Sequence, residues 1–175
     1  MSNIILGDGA LGTELRSRGV EVPSHTESIW SALALTENPD EIKNIHLDYI
    51  EAGSDFITIN NYAVTRPLLA RLGREDEIED LTLKSIELAE QAIKESGKDI
   101  MLAGSLPPLE TSYRADLIQD RESMLDQYAE IASILEGRVD IIICETMSCV
   151  LEAQCALSCL EDSNSKVWLS WTLMG

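Results

Sequence analysis

Two carboxylates, Asp8 and Glu145, each stand directly after a short apolar run, as do the polar triplet Asn60-Asn61-Tyr62 and the hydroxyl of Ser105; Thr146 follows Glu145. Two acids among neutral donors suit either of two tasks. One is general acid–base work, as in a glycosidase; the other is a clamp for a cationic group such as an α-amino group. Each acid taken alone is equally at home in the N-cap or first turn of a helix, and spacing does not choose among these. Tyr113 and Arg114 fall in the long segment after Ser105, where they either line the mouth of a site or face solvent. The two histidines, His25 and His46, have no partner His or acid at ligand spacing and read as core or surface residues.

All four cysteines lie between Cys144 and Cys159. On a helix at ~100° per residue, Cys155 and Cys159 share a side opposite the stripe Val150, Ala153, Leu157 and Leu160, which predicts that they point away from the sheet. Cys149 would lie about 15 Å along the axis from Cys159, whereas ligands of one zinc ion each come within ~2.3 Å of it. One metal cannot bind all four, and free thiols are expected.

The elements that must hold the polar residues follow from the apolar pattern. Runs at Asn3–Gly7, Asp55–Asn60, Ile100–Gly104, Val139–Cys144 and Val167–Leu173 are nearly continuous in apolar residues, as strands covered on both faces are. Between them apolar residues recur at helical spacing: Ile42, Ile45, Tyr49 and Ala52; Ile78, Leu81, Ile86, Ala89 and Ile93; Met124, Tyr128, Ile131 and Leu135; then the stripe from Val150 to Leu160. Loops are expected at Val20–Thr26, Ser105–Gln119 and Glu161–Lys166. The alternation of strands and helices predicts a parallel sheet with right-handed crossovers, the five strands in sequence order. An open doubly wound sheet would place a phosphate loop after its first strand, but Gly7-Asp8-Gly9-Ala10-Leu11-Gly12 carries an acid that would repel a pyrophosphate. The fold class expected is therefore α/β, a parallel (β/α) barrel of TIM type. It is incomplete, with about five of the eight strands that such a barrel requires over roughly 250 residues. In this architecture Asp8, Asn60, Asn61, Tyr62, Ser105, Glu145 and Thr146 meet at one rim, where strands end.

With 31 acidic and 13 basic residues the chain carries a formal charge of −18, which disfavours nucleic acid and anionic membrane surfaces as partners. The first residues lack the basic segment and long apolar run of a signal peptide, and no apolar run reaches the ~18–20 residues needed to span a bilayer. A cytoplasmic location is expected.

Four segments in register resemble the homocysteine S-methyltransferase family. Gly7-Asp8-Gly9-Ala10-Leu11-Gly12-Thr13-Glu14-Leu15 resembles its opening motif, and His46 to Asp55 followed by Thr58-Ile59-Asn60-Asn61-Tyr62 resembles its second strand. Ala103-Gly104-Ser105-Leu106-Pro107-Pro108 with Ser112-Tyr113-Arg114 is similar to the third strand and loop, and Cys144-Glu145-Thr146 to the end of the fourth. The resemblance implies that residues 1–175 are the N-terminal part of a zinc-dependent barrel in which homocysteine receives a methyl group from a small-molecule donor, giving methionine. It places Asp8 and Glu145 on the ammonium group of the amino acid, with Asn60 and Tyr62 at the substrate rim. It also implies that zinc is held by three cysteines from later strands, a segment this chain lacks. No metal, no metal ligand and no catalytic residue are therefore expected within it. The rival expectation is a non-catalytic, self-associating partial barrel. Either way, uncovered apolar faces predict a homo-oligomer.

Overall fold

The computed structural model describes residues 4–22 and 30–172 of the 175-residue chain. His25 and the ends of the expected strands at Asn3 and Leu173 lie outside the described residues.

Four strands, β1 (Phe56–Thr58), β2 (Met101–Leu106), β3 (Ile141–Met147) and β4 (Lys166–Trp171), form one parallel sheet in the order β1-β2-β3-β4. Helices α3 (Pro39–Ala52), α5 (Ile78–Ser96), α6 (Arg121–Leu135) and α7 (Val150–Ser158) are the long crossovers or lead-ins, and α1 (Leu11–Ser17), α2 (Ala34–Glu37) and α4 (Arg66–Ala70) are short. Sequence order within the sheet is the barrel pattern, and no strand is inserted out of order as an open doubly wound sheet would require.

Register fixes which side chains share a face. Ile57 pairs with Leu102, and Ser105 with Ile143. Ile57, Leu102, Leu106, Ile142 and Cys144 point into the helix layer, where they join Ile45, Ile86, Met124, Tyr128 and Ile131 in one continuous core. Their neighbours along each strand, Phe56, Thr58, Ser105, Ile143 and Glu145, face the other way. The sheet curls toward that second face: the rings of Phe56 on β1 and Trp168 on β4 meet edge to face with centroids 5.2 Å apart. In a flat sheet the two strands would stand about 14 Å apart, three interstrand spacings.

The helices start and stop where local chemistry directs. Pro39 occupies the first turn of α3 with Asp40 and Glu41 beside it, and Gly53 closes that helix at φ 108°. Asp120 caps α6 by accepting a bond from Ser123 N at 3.0 Å. Gly104 admits α6 close to β2, since a β-carbon there would lie 2.7 Å from Leu135 Cδ2.

Several expectations need correction. The segment before Gly7 runs beside β1, but within the described residues only Gly7 forms a bridge, to Phe56, so four strands stand where five were expected. The Asp55 carboxylate takes the Leu6 N–H at 2.8 Å, replacing a backbone partner, and Ile4, Ile5 and Leu6 remain exposed. Cys155 was expected to face outward and is instead fully buried. Helix α7 buries Glu152, Ala153, Cys155 and Ala156 because it leans on α6 as well as on β3, which rotates Val150 into solvent. Cys159 donates to Leu125 O on α6 at 3.5 Å. In α3 the buried set is Ile42, Ile45, His46 and Ile50, with Ala52 exposed.

His46 is a core residue with no exposure, and neither ring nitrogen has a hydrogen-bond partner among the described residues. Burial lowers its pKa from 6.5 to about 4. Between those values the unfolded chain binds a proton that the folded chain does not, so stability is full above the higher value and is lost as pH falls through the window. The whole difference is worth about 3 kcal/mol. We expect His46→Leu to flatten the fall in denaturation midpoint between pH 7 and pH 4.5; an unchanged acid profile would show that other groups carry it.

Candidate active site

The C-terminal ends of the strands enclose a cavity of about 590 Å³. Asp8, Asn60, Tyr62, Ser105, Glu145 and Thr146 all line it, together with Ser31, Thr58, Ser112 and Tyr113, and no lysine or arginine is among its lining residues. Six of the seven expected site residues thus share one surface.

Asp8 follows the Gly7 bridge and turns toward β1. Its Oδ2 accepts the backbone N–H of Thr58 at 2.8 Å and its Oδ1 the Thr58 hydroxyl at 3.1 Å. Those bonds favour the ionised form, but burial outweighs them and lifts the carboxyl from 3.8 to about 6. Gly9, next along, lies against the Tyr49 ring, where a β-carbon would come within 2.6 Å of the phenol oxygen.

Glu145 stands inside β3 and not after it, as Ser105 stands inside β2. A bulge between Cys144 and Met147 sets three steps of β3 against two of β4, and within it Thr146 adopts φ 59°. The bulge interrupts the alternation and turns the chain back toward β4, where Thr146 N donates to Ser170 Oγ at 3.2 Å. Glu145 Oε1 accepts a very short hydrogen bond from Ser105 Oγ. Burial raises the Glu145 pKa, the Ser105 bond opposes the rise, and the Asp8 charge adds to it. The two carboxylates therefore sense each other across the cavity.

The remaining polar residues divide by role. Asn60 exchanges two bonds with Ser31, its Nδ2 donating to Ser31 O at 2.8 Å and its Oδ1 accepting from Ser31 Oγ at 2.8 Å. Asn61 is fully buried, does not line the cavity, and clasps the backbone of Ser105 instead. Tyr62 OH lies 2.6 Å from Ser112 Oγ and pins the loop after β2 over the cavity. At the mouth Tyr113 holds φ 65° and is two-thirds exposed, whereas Arg114 pairs with Asp116 at 2.7 Å and lies outside the lining. Thr58, the main partner of Asp8, was not singled out in the sequence although its alternation with Asn60 pointed to the same face. Ser112 sits in irregular chain, where no period signals orientation.

None of the four cysteines lines the cavity, and all are free thiols. Burial drives Cys144 up to about 12. Among the described residues no three His, Cys, Asp or Glu side chains converge as metal ligands. The side chains present do not fit the zinc that the resemblance implies. No described helix is long and apolar enough to cross a membrane.

A curled parallel sheet with its polar cavity at the C-terminal strand ends defines a segment of a (β/α) barrel of the TIM type. The chain belongs to the homocysteine S-methyltransferase family, whose profile matches residues 5–175. It is 30% identical to the homocysteine S-methyltransferase of Escherichia coli (strain K12) over 98% of this chain and 59% of that protein. It is also 30% identical to homocysteine S-methyltransferase 1 of Arabidopsis thaliana, over 94% and 57% respectively. The crystal structure of the homocysteine methyltransferase MmuM from Escherichia coli, metallated form, superposes with a TM-score of 0.85 at 30% identity, over 98% of this chain and 64% of that one. The chain thus spans about 60% of the length of these relatives.

Holding Asp8 ionised at neutral pH costs stability, because its folded pKa lies above the unfolded one. The folded state binds the extra proton between pH 3.8 and 6, so this contribution falls as pH rises through that window and stays lost above it. Asp8→Asn should therefore raise the unfolding free energy at pH 7.5 by up to ~3 kcal/mol, read as a higher thermal midpoint, and change it far less at pH 4. An equal effect at both values would place the origin outside the charge.

Proposed function

We propose that this chain carries the amino-acid-binding side of a homocysteine S-methyltransferase, with Asp8 and Glu145 receiving the ammonium group of homocysteine. The observation that supports this most directly is the charge of the cavity: two carboxylates face it, both destabilised by burial, and among the described residues no cationic side chain lines it. An arriving ammonium supplies the missing countercharge and lowers both carboxyl pKa values. Ser105 holds one oxygen of Glu145 and Thr58 holds both oxygens of Asp8, so the clamp is oriented before the ligand arrives. Tyr62 and Thr146 complete the binding set, and Asn60 keeps the rim in place through Ser31.

Anchoring at the ammonium end leaves the thiol directed into the cavity. In the proposed reaction the homocysteine thiol gives up its proton to solvent, a lone pair of the thiolate sulfur forms a bond to the methyl carbon as the bond from methyl to donor breaks, the donor leaves with that electron pair, and methionine results. This chain's part is to bind and orient the acceptor. Zinc, when bound by a protein of this family, supplies thiolate activation, and the described side chains offer it no donor set.

Calorimetric titration tests the clamp. Homocysteine should bind the chain, 4-mercaptobutanoate, which lacks the amino group, should bind at least tenfold more weakly, and Asp8→Asn and Glu145→Gln should each erase most of that preference. Binding should tighten as pH rises through about 6, where Asp8 ionises. Equal affinity for the two ligands would overturn the reading.

We also propose that the chain works as a homo-oligomer in the cytoplasm. Free thiols accord with a reducing compartment. On β4, Val167, Leu169 and Trp171 are each at least one-third exposed, and Trp171 reaches 46%. Sedimentation equilibrium at micromolar concentration should show a discrete dimer that Leu169→Lys dissociates; a stable, cooperatively folded monomer would refute the assembly.

A further inference from the structure

The pairing of β1 with β2 does not end where the backbone ladder ends. The ladder runs Phe56 with Met101, Ile57 with Leu102 and Thr58 with Ala103, and Ile59 N still donates to Ala103 O at 2.9 Å. Beyond that point the chain turns away, with Asn61 N donating to Ile59 O at 2.9 Å. Ser105 is left without a strand partner on that side. The Asn61 side chain fills the place: its Nδ2 donates to Ser105 O at 2.9 Å and its Oδ1 accepts from Ser105 N at 3.0 Å. A carboxamide presents the same donor and acceptor as a peptide group, so one side chain satisfies both backbone groups of a fully buried residue. On its other side Ser105 pairs with Ile143 of β3, and its hydroxyl donates to Glu145 Oε1.

We propose that Asn61 is a positioning residue for Glu145, acting through Ser105: it holds the end of β2 at the height at which the Ser105 hydroxyl reaches the carboxylate. Asn61 touches neither the cavity nor Glu145. Its influence therefore passes through the Ser105 backbone. Removing the clasp frees two buried backbone groups, the end of β2 shifts to find water or new partners, and the hydroxyl bond to Glu145 lengthens. The other Glu145 oxygen takes no hydrogen bond from the described residues, so this one bond decides the orientation of the carboxylate.

The consequence for ligand binding rests on the ammonium clamp proposed above, but the placement of Glu145 does not, so the two can fail separately. The test is a double-mutant cycle read on the ionisation of Glu145 by carbon-detected NMR of its labelled carboxyl group. Ser105→Ala should raise the Glu145 midpoint by about one pH unit, the value of one charge-assisted hydrogen bond. Asn61→Leu should raise it by a comparable amount in the parent and leave it unchanged in the Ser105→Ala background. Asn61→Ser, which removes the clasp but admits water, should give the same pattern if the leucine variant folds poorly. Equal shifts in both backgrounds, or no shift in the parent, would overturn the proposal. The unmodified protein gives an independent reading: the Ser105 amide should exchange with solvent only as slowly as the centre of β2 does, and rapid exchange there would show that the clasp does not hold.

Discussion

Where Ile57 stands beside Leu102, and Ser105 beside Ile143, every later position is set, because in a strand a shift of one residue sends each side chain to the opposite face. That register places Ile57, Leu102, Leu106 and Ile142 among the helices and leaves Thr58, Ser105 and Glu145 on the concave side with Phe56 and Ile143. Moved by one step, Ser105 would enter the layer occupied by Leu135 and Tyr128, and Glu145 would be buried without its hydroxyl partner. The tight seat of Leu135 over Gly104 resists such a slip, since only glycine fits beneath it. Helix packing and site geometry are thus two consequences of one pairing.

The sheet order and the shared rim were legible in the sequence because both rest on periodicity. Met124, Tyr128, Ile131 and Leu135 kept their face, and all are buried. Where an element touches two neighbours, a single stripe misled: α7 lies in the angle between α6 and β3, so Cys155 went inward and Val150 outward. The strand expected before Gly7 was apolar enough to suggest pairing. What sequence pattern could not show was that the Asp55 side chain would accept its backbone N–H. The difference between Asn60 and Asn61 was equally hidden. Two adjacent, identical side chains at a strand end have different tasks, one at the cavity wall and one behind it, because the turn at Ile59 rotates them apart.

The concave side concentrates unfavourable electrostatics. Asp8 and Glu145 are both driven toward the neutral form by burial, and each is restrained by close donors, Thr58 for one and Ser105 for the other. A protein selecting only for stability would replace such a pair with apolar residues or pair each with a cation. The chain has 13 basic residues and uses many of them in surface pairs, such as Arg66 with Glu130 and Arg74 with Glu77. None is placed in the cavity lining, so the charge there is left open to a ligand.

Backbone conformation follows the same distribution. Elsewhere positive φ falls on glycines, as at Gly53 and Gly97, where helices close without penalty. The two described non-glycine residues at positive φ, Tyr113 and Thr146, both line the cavity. A residue held this way costs on the order of 1–3 kcal/mol and persists only where surrounding contacts over-determine it. For Thr146 those contacts include the bulge in β3 and the Ser170 hydroxyl; the loop of Tyr113 is held by the bond between Tyr62 and Ser112. Relaxing Thr146 to a regular strand conformation would restore the alternation beyond Glu145 and turn Met147 out of the core it now joins. Buried charge and the Asn61 clasp meet at one carboxylate, with the strained Thr146 next to it in the chain, which is the pattern expected when a fold gives up local stability to present a charged group in a fixed place.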